Sequence, residues 1–145
     1  MFSTNNFPDC SNMCHEGSGL KQSIGVGKGT VRLNDFDLAD AIFVFGQNPG
    51  TNHPRMLHSL RHGASIISFN NLRERGLERF ADPQKPLEVI TPKSGRISSR
   101  YLQPNLGGDM VAVRGIVKAL LETHRQHLAR GEDGLFDDAF ISAHT

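Results

Sequence analysis

Ala41-Ile-Phe-Val-Phe45 and Ala64-Ser-Ile-Ile-Ser-Phe69 are the two stretches whose reading decides the fold. Each is a short apolar run rich in β-branched and aromatic residues, and the first is continuous, the pattern of a strand buried on both faces. Between them, Gly46 to His53 reads as a loop, and Pro54 suits the first turn of a helix. Met56, Leu57 and Leu60 then share one face before Gly63. A strand, a crossover helix and a second strand predict a parallel pair joined by a right-handed connection.

Working outward, the first thirty residues read as irregular. Gly17, Gly19, Gly25, Gly27 and Gly29 follow a polar start, so this stretch needs a surface to lie against. Asn34 to Ala39 suggests a helical turn capped by Asn34. Past Asn71, Leu72 to Phe80 is short and charged, Leu87 to Ile90 suggests a third strand, and residues 91–108 read as a long loop. A long helix is predicted over 109–130. Asp109 stands at its cap and Gly131 at its end, with Met110, Val113, Ile116, Val117, Leu120, Leu121 and Leu128 as a stripe for the sheet. Phe136 to Ile141 adds a further turn. The fold class is α/β, a Rossmann-like parallel sheet flanked by helices. Residues 1–33 form a glycine-rich segment, and residues 34–145 the α/β domain.

With 145 residues the chain has the length of one domain. Sixteen basic and fifteen acidic residues leave a net charge of +1, and with no Trp and one Tyr there is little to attract or stack a nucleic acid. The longest apolar run is far short of the roughly 20 residues of a membrane span. Met1 to Asn6 lacks the basic start and apolar stretch of a secretory leader, which predicts a cytoplasmic location.

In an open parallel sheet, ligands bind beyond the carboxyl ends of the strands. Those ends lead into Gly46-Gln-Asn-Pro-Gly-Thr-Asn-His-Pro54 and Asn70-Asn-Leu-Arg-Glu-Arg75, with Gly107-Gly-Asp109 opening the long helix as a third polar turn. Each alone is ordinary turn chemistry. Three on one sheet edge favour a nucleotide-like ligand. Gly25-Val-Gly-Lys-Gly-Thr30 fails both phosphate-loop patterns, since Gly29 follows Lys28 and Thr30 stands where a third glycine is needed. It reads either as a backbone-approach loop or as a flexible connector. Cys10 and Cys14, with His15, are too few for a structural zinc site. They read as surface cysteines, as a reactive thiolate, or as a soft ligand for a soft metal centre.

Asn12-Met-Cys-His15, Gly19-Leu-Lys-Gln-Ser-Ile-Gly25 and Ala39-Asp-Ala-Ile-Phe-Val-Phe-Gly-Gln-Asn-Pro49 through His53-Pro54 together resemble the molybdopterin oxidoreductase family. The likeness is to its formate-dehydrogenase-like alpha subunits, which carry bis(molybdopterin guanine dinucleotide). Asn70 to Arg79, Gly107-Gly-Asp109 and Phe140 to Thr145 resemble a less characterised branch of that group, so the likeness spans nearly the whole chain.

The resemblance implies roles for particular residues. Cys14 would ligate molybdenum, and His15 would stand beside it as proton acceptor or electrostatic partner. Gly46, Asn48, Pro49, Asn52 and His53 would line one guanine dinucleotide after the first strand. Asn70 and Arg73 would lie near the strand end where the family carries Asp-Pro-Arg, replaced here by Asn-Asn-Leu-Arg. Gly108 and Asp109 match the family's Gly-Thr-Asp turn. Family members are several times longer and bring a 4Fe-4S region whose ligands are not in this chain, so the chain reads as an internal piece of a larger multi-domain enzyme, inactive alone. The implied reaction is two-electron oxidoreduction of a small molecule, formate or similar, with the electron acceptor unspecified. The contrasting possibility is a non-catalytic nucleotide-binding α/β module in which Cys14 is incidental.

Overall fold

The computed structural model describes residues 3–4, 17–60, 64–82, 85–90 and 95–144. The chain divides into two compact units, Met1–Asp35 and Phe36–Thr145. The readings placed on Cys10, Cys14, His15 and Gly63 lie outside the described residues.

In the first unit the stretch expected to be irregular contains a helix, α1 (Ser18–Ile24). Gly25 ends it in the left-handed region at φ +81°, donating its N–H to Lys21 O. Only glycine enters that region without a Cβ penalty, which is why a helix stops cleanly there. The glycine-rich run approaches itself: a Cβ on Gly17 would lie 2.5 Å from the Gly27 carbonyl oxygen. A 3₁₀ helix follows at Leu33–Leu38, and the N–H of Arg32 is held by the Asp35 carboxylate at 2.7 Å, a capping role the sequence reading gave to Asn34.

The second unit is mixed α/β, a three-stranded parallel sheet flanked by helices. Strand β1 (Ala41–Phe45) pairs in parallel with β2 (Ser65–Phe69), Ala41 opposite Ser65 and Phe45 opposite Phe69. Two helical turns, α2 (Pro49–Asn52) and α3 (Met56–Ser59), make the connection. Part of the expected loop at 46–53 is therefore helical, because Pro49 holds the φ a first turn requires. Ile42, Leu57, Leu60, Ile66 and Ile97 form the core, with Val44, Met56, Ala64 and Phe80 packed around it. This corrects the two-sided burial expected of β1. Ile42 is buried, but Phe43, on the other face, is 46% exposed. The Phe45 and Phe69 rings stack at 4.7 Å across the strand pair.

The third strand is not where the sequence placed it. Pro86–Ile90 is a helix, here α5, again entered through a proline. It follows α4 (Arg75–Glu78) and the first half of a two-stranded antiparallel ribbon, β3 (Arg79–Phe80) with β4 (Gly95–Arg96). The third parallel strand is β5 (Arg100–Leu102), inside the stretch read as a loop, and it pairs with β2 from Ile67 opposite Arg100 to Phe69 opposite Leu102. A three-residue edge strand is too short to show periodicity. Ladder bonds define it, along with Ser99 N–H on Ile66 O at 2.8 Å just before it.

Helix α6 (Gly108–Ala129) has nearly the predicted bounds but not the predicted packing. Its apolar stripe is not sunk against the sheet: Met110 is 63% exposed and Leu120 41% exposed. His124 is the one buried residue of the helix. Its Nδ1 accepts the backbone N–H groups of Leu135 (2.9 Å) and Phe136 (3.3 Å), so Nε2 carries the proton and donates it to Asp138 at 3.1 Å. Those bonds, with the Phe136 ring 5.1 Å from the His124 ring, hold the start of the last helix, α7 (Asp138–His144), and the segment before it against α6. No described helix is long and apolar enough to cross a membrane.

Candidate functional site

The carboxyl edge of the sheet is built by the segments that leave β1 and β2 and by the start of α6. Gly46 turns the chain out of β1 at φ +60°, its N–H bonded to Phe69 O at 2.9 Å. Asn70, 7% exposed, leaves β2 with its own N–H on Leu102 O (3.0 Å) and its side-chain amide on Gln47 O (3.3 Å). Gly107, at φ +79°, is the N-cap of α6, so Asp109 sits in the first turn rather than at the cap.

Gly46, Asn70 and Asp109, one from each polar turn, meet around a cavity of about 170 Å³, together with Phe69, Asn71, Asn105 and Gly107. A Cβ added at Gly46 or Gly107 would meet no atom within 4 Å, so these glycines serve the backbone turn and leave open space beside it. Among the described residues, one carboxylate and three amide side chains line the cavity and none of them is a cation. That set suits a neutral heterocycle carrying its own N–H donors. It is poorly suited to phosphate, which the carboxylate would repel.

The remaining expected residues stand elsewhere. Asn48 donates to the Glu74 carboxylate at 2.7 Å, tying the loop after β1 to the loop after β2. Pro49 is buried, while Asn52 and His53 are exposed at the end of α2. Gly108 lies against Pro104, and Arg73 is exposed and ion-paired with Glu78. Asn48 and the α2 backbone instead border a separate groove of about 340 Å³ with Glu74, Arg75 and Arg79. The two loops meet at Gly50 and Gly76, where a Cβ on either would come within 3 Å of the other's Cα.

Three contributors escaped the sequence reading. Tyr101 donates its hydroxyl proton to Leu72 O (2.7 Å) and accepts the Glu74 N–H (2.9 Å), holding the loop after β2 from the neighbouring strand. Ser98 donates to Leu77 O at 2.5 Å and accepts from Ser68 at 2.7 Å beneath it. Asn105 enters the cavity from the stretch before α6. A lone tyrosine and a pair of serines carry no spacing signal. Among the described residues no group of three or more His, Cys, Asp or Glu is placed to hold a metal.

No protein-family model matches the chain. Protein YdeP of Escherichia coli strain K12 is 51% identical over 150 residues, which take in 99% of this chain and 20% of that protein. The uncharacterized oxidoreductase Rv2900c of Mycobacterium tuberculosis is 47% identical over 149 residues, 99% of this chain and 18% of the relative. Formate dehydrogenase H of Escherichia coli strain K12 is 27% identical over 148 residues, 98% of this chain and 17% of the enzyme. The chain thus spans about a fifth of the length of the curated relatives it matches.

Proposed function

We propose that this chain, by homology a segment of a formate-dehydrogenase-like oxidoreductase, forms one wall of the pocket for a molybdopterin guanine dinucleotide. The carrying observation is the meeting of Gly46, Asn70 and Asp109 around one cavity at the carboxyl edge of the parallel sheet. In this reading the guanine end of the cofactor lies there. A guanine edge presents N–H donors, and Asp109 with the amide oxygens of Asn70, Asn71 and Asn105 supplies acceptors. Among the described lining residues no cation competes with the base for the Asp109 carboxylate. Asn48, Pro49, Asn52, His53 and Arg73, from the segments after β1 and β2, and Gly108, at the start of α6, would support the dinucleotide away from the base.

When bound, the cofactor supplies two-electron redox chemistry at molybdenum, with a small molecule such as formate as the substrate class. Cys14 would ligate the metal through its thiolate, a soft donor suited to a sulfur-rich site, and His15 would take up a proton beside it. A 4Fe-4S cluster would lie in other parts of the parent enzyme.

Binding of GMP tests the nucleotide part of this reading. Asp109→Asn replaces an acceptor-only carboxylate with an amide and should weaken GMP binding by about tenfold or more, the loss of a charge-assisted bond. Equal GMP affinity in Asp109→Asn and the unaltered protein would mean that the base does not bind in this cavity.

A further inference from the structure

The β3–β4 ribbon places Arg79 directly opposite Arg96. Like charges opposite one another on an antiparallel pair oppose pairing, and here the pair is held by the Ile97 N–H on Glu78 O and the Ser98 N–H on Leu77 O, both 3.0 Å, with Leu77 and Ile97 buried beside it. Both arginines line one pocket of about 240 Å³, with Arg73, Glu78, Ser98 and Tyr101 as the other walls. Among the described residues its one carboxylate, Glu78, is engaged by Arg73. Ser98 and Tyr101 are already satisfied within the protein.

Arg96 is held in place: its Nε donates to Ser98 O at 2.7 Å and an Nη to Ser99 O at 2.9 Å. A guanidinium has more N–H donors than those two, so a fixed fork remains for another acceptor. The Arg79 guanidinium has no hydrogen-bond or ion-pair partner among the described residues, and the residue is exposed. Among the described residues the pocket therefore holds three guanidinium groups and one neutralising carboxylate, the reverse of the sheet-edge cavity with its carboxylate and three amides.

We propose that this pocket is a binding site for a phosphate-type oxyanion, received between Arg79 and Arg96. Planar guanidinium forks match the oxygen geometry of phosphate, and a doubly charged anion between them turns a repulsive cross-strand pair into an attractive one. The ligand is inorganic phosphate or a phosphate monoester. The site stands on the ribbon's register and charge, independently of the cofactor reading above.

The test is calorimetric titration of the protein with sodium phosphate against sodium chloride of equal ionic strength, with thermal unfolding in the same buffers. Phosphate should bind in the millimolar range and raise the melting temperature. Arg79→Gln should lower phosphate affinity by about tenfold and abolish the phosphate-dependent shift. Without phosphate it should leave stability unchanged or raised, because it removes a like-charge pair. Arg125→Gln, on the exposed side of α6, should bind phosphate as the unaltered protein does. A parallel titration of Asn70→Ala with phosphate and with guanosine, which has the base but no phosphate, separates the sources. Retained phosphate binding with lost guanosine binding means a site of its own, whereas loss of both means that the phosphate belongs to the ligand of the sheet-edge cavity and overturns the proposal. The proposal is overturned if phosphate gives no binding beyond chloride, or if Arg79→Gln binds it as tightly as the unaltered protein.

Discussion

Gly76→Ala should separate the two loops that build the sheet edge. The added Cβ would lie 2.7 Å from the Gly50 Cα and 3.1 Å from its N, and both are backbone atoms, which cannot swing aside as a side-chain tip would. Gly76 does not have the positive φ of Gly46 or Gly107, so its substitution meets the clash alone, without dihedral strain. Overpacking of this kind costs about 1–3 kcal/mol, offset by about 0.4–1 kcal/mol because alanine narrows the unfolded ensemble. The net loss is then about 1–2 kcal/mol, or roughly 4–10 °C in melting temperature for a unit of this size. Urea and thermal unfolding read it directly. Gly50→Ala should behave alike, and the double variant should lose less than the sum, since loops already parted by one methyl have room for the second. Gly115→Ala is the control: in mid-helix with nothing within 4 Å of its Cβ, it should stabilise by about 0.5–1 kcal/mol. A Gly76→Ala protein as stable as the unaltered one would refute the close crossing of these loops.

Two further outcomes follow from burial and hydrogen bonding. Leu77, 0% exposed, should lose about 2–5 kcal/mol on truncation to alanine, whereas Leu120→Ala should cost under about 1 kcal/mol by denaturant titration because its side chain stays 41% exposed. Tyr101→Phe should cost about 0.5–1.5 kcal/mol, since it releases the part-buried Glu74 N–H and the exposed Leu72 carbonyl to water, and it should speed amide exchange at Glu74 relative to β2.

The parallel strand pair was legible because both strands are dense in β-branched and aromatic residues, and the crossover between them leaves few alternatives. The bounds of α6 were legible from Gly131 and the apolar stripe. Its packing was not, because periodicity names a face without naming what the face meets. Leu87 to Ile90 misled because a short apolar run reads the same in helix and strand, and the proline at 86 was the deciding residue. β5 was invisible because pairing with β2, rather than its own three residues, makes it a strand. At the candidate site, the expectation that three polar turns share one edge rested on sheet topology, and Gly46, Asn70 and Asp109 do line one cavity. Asn48 and Arg73 were drawn from that cavity by carboxylates, Glu74 and Glu78, whose pairing depends on how α4 packs.

The most direct measurement is the joint molybdenum and guanine-nucleotide content of the full-length protein that carries this chain, by metal analysis and by nucleotide release on acid treatment. Both should be present together, Asp109→Asn should lower both, and Cys14→Ser should alter the metal while the nucleotide stays. A purified protein with neither molybdenum nor releasable guanine nucleotide would contradict the proposed function.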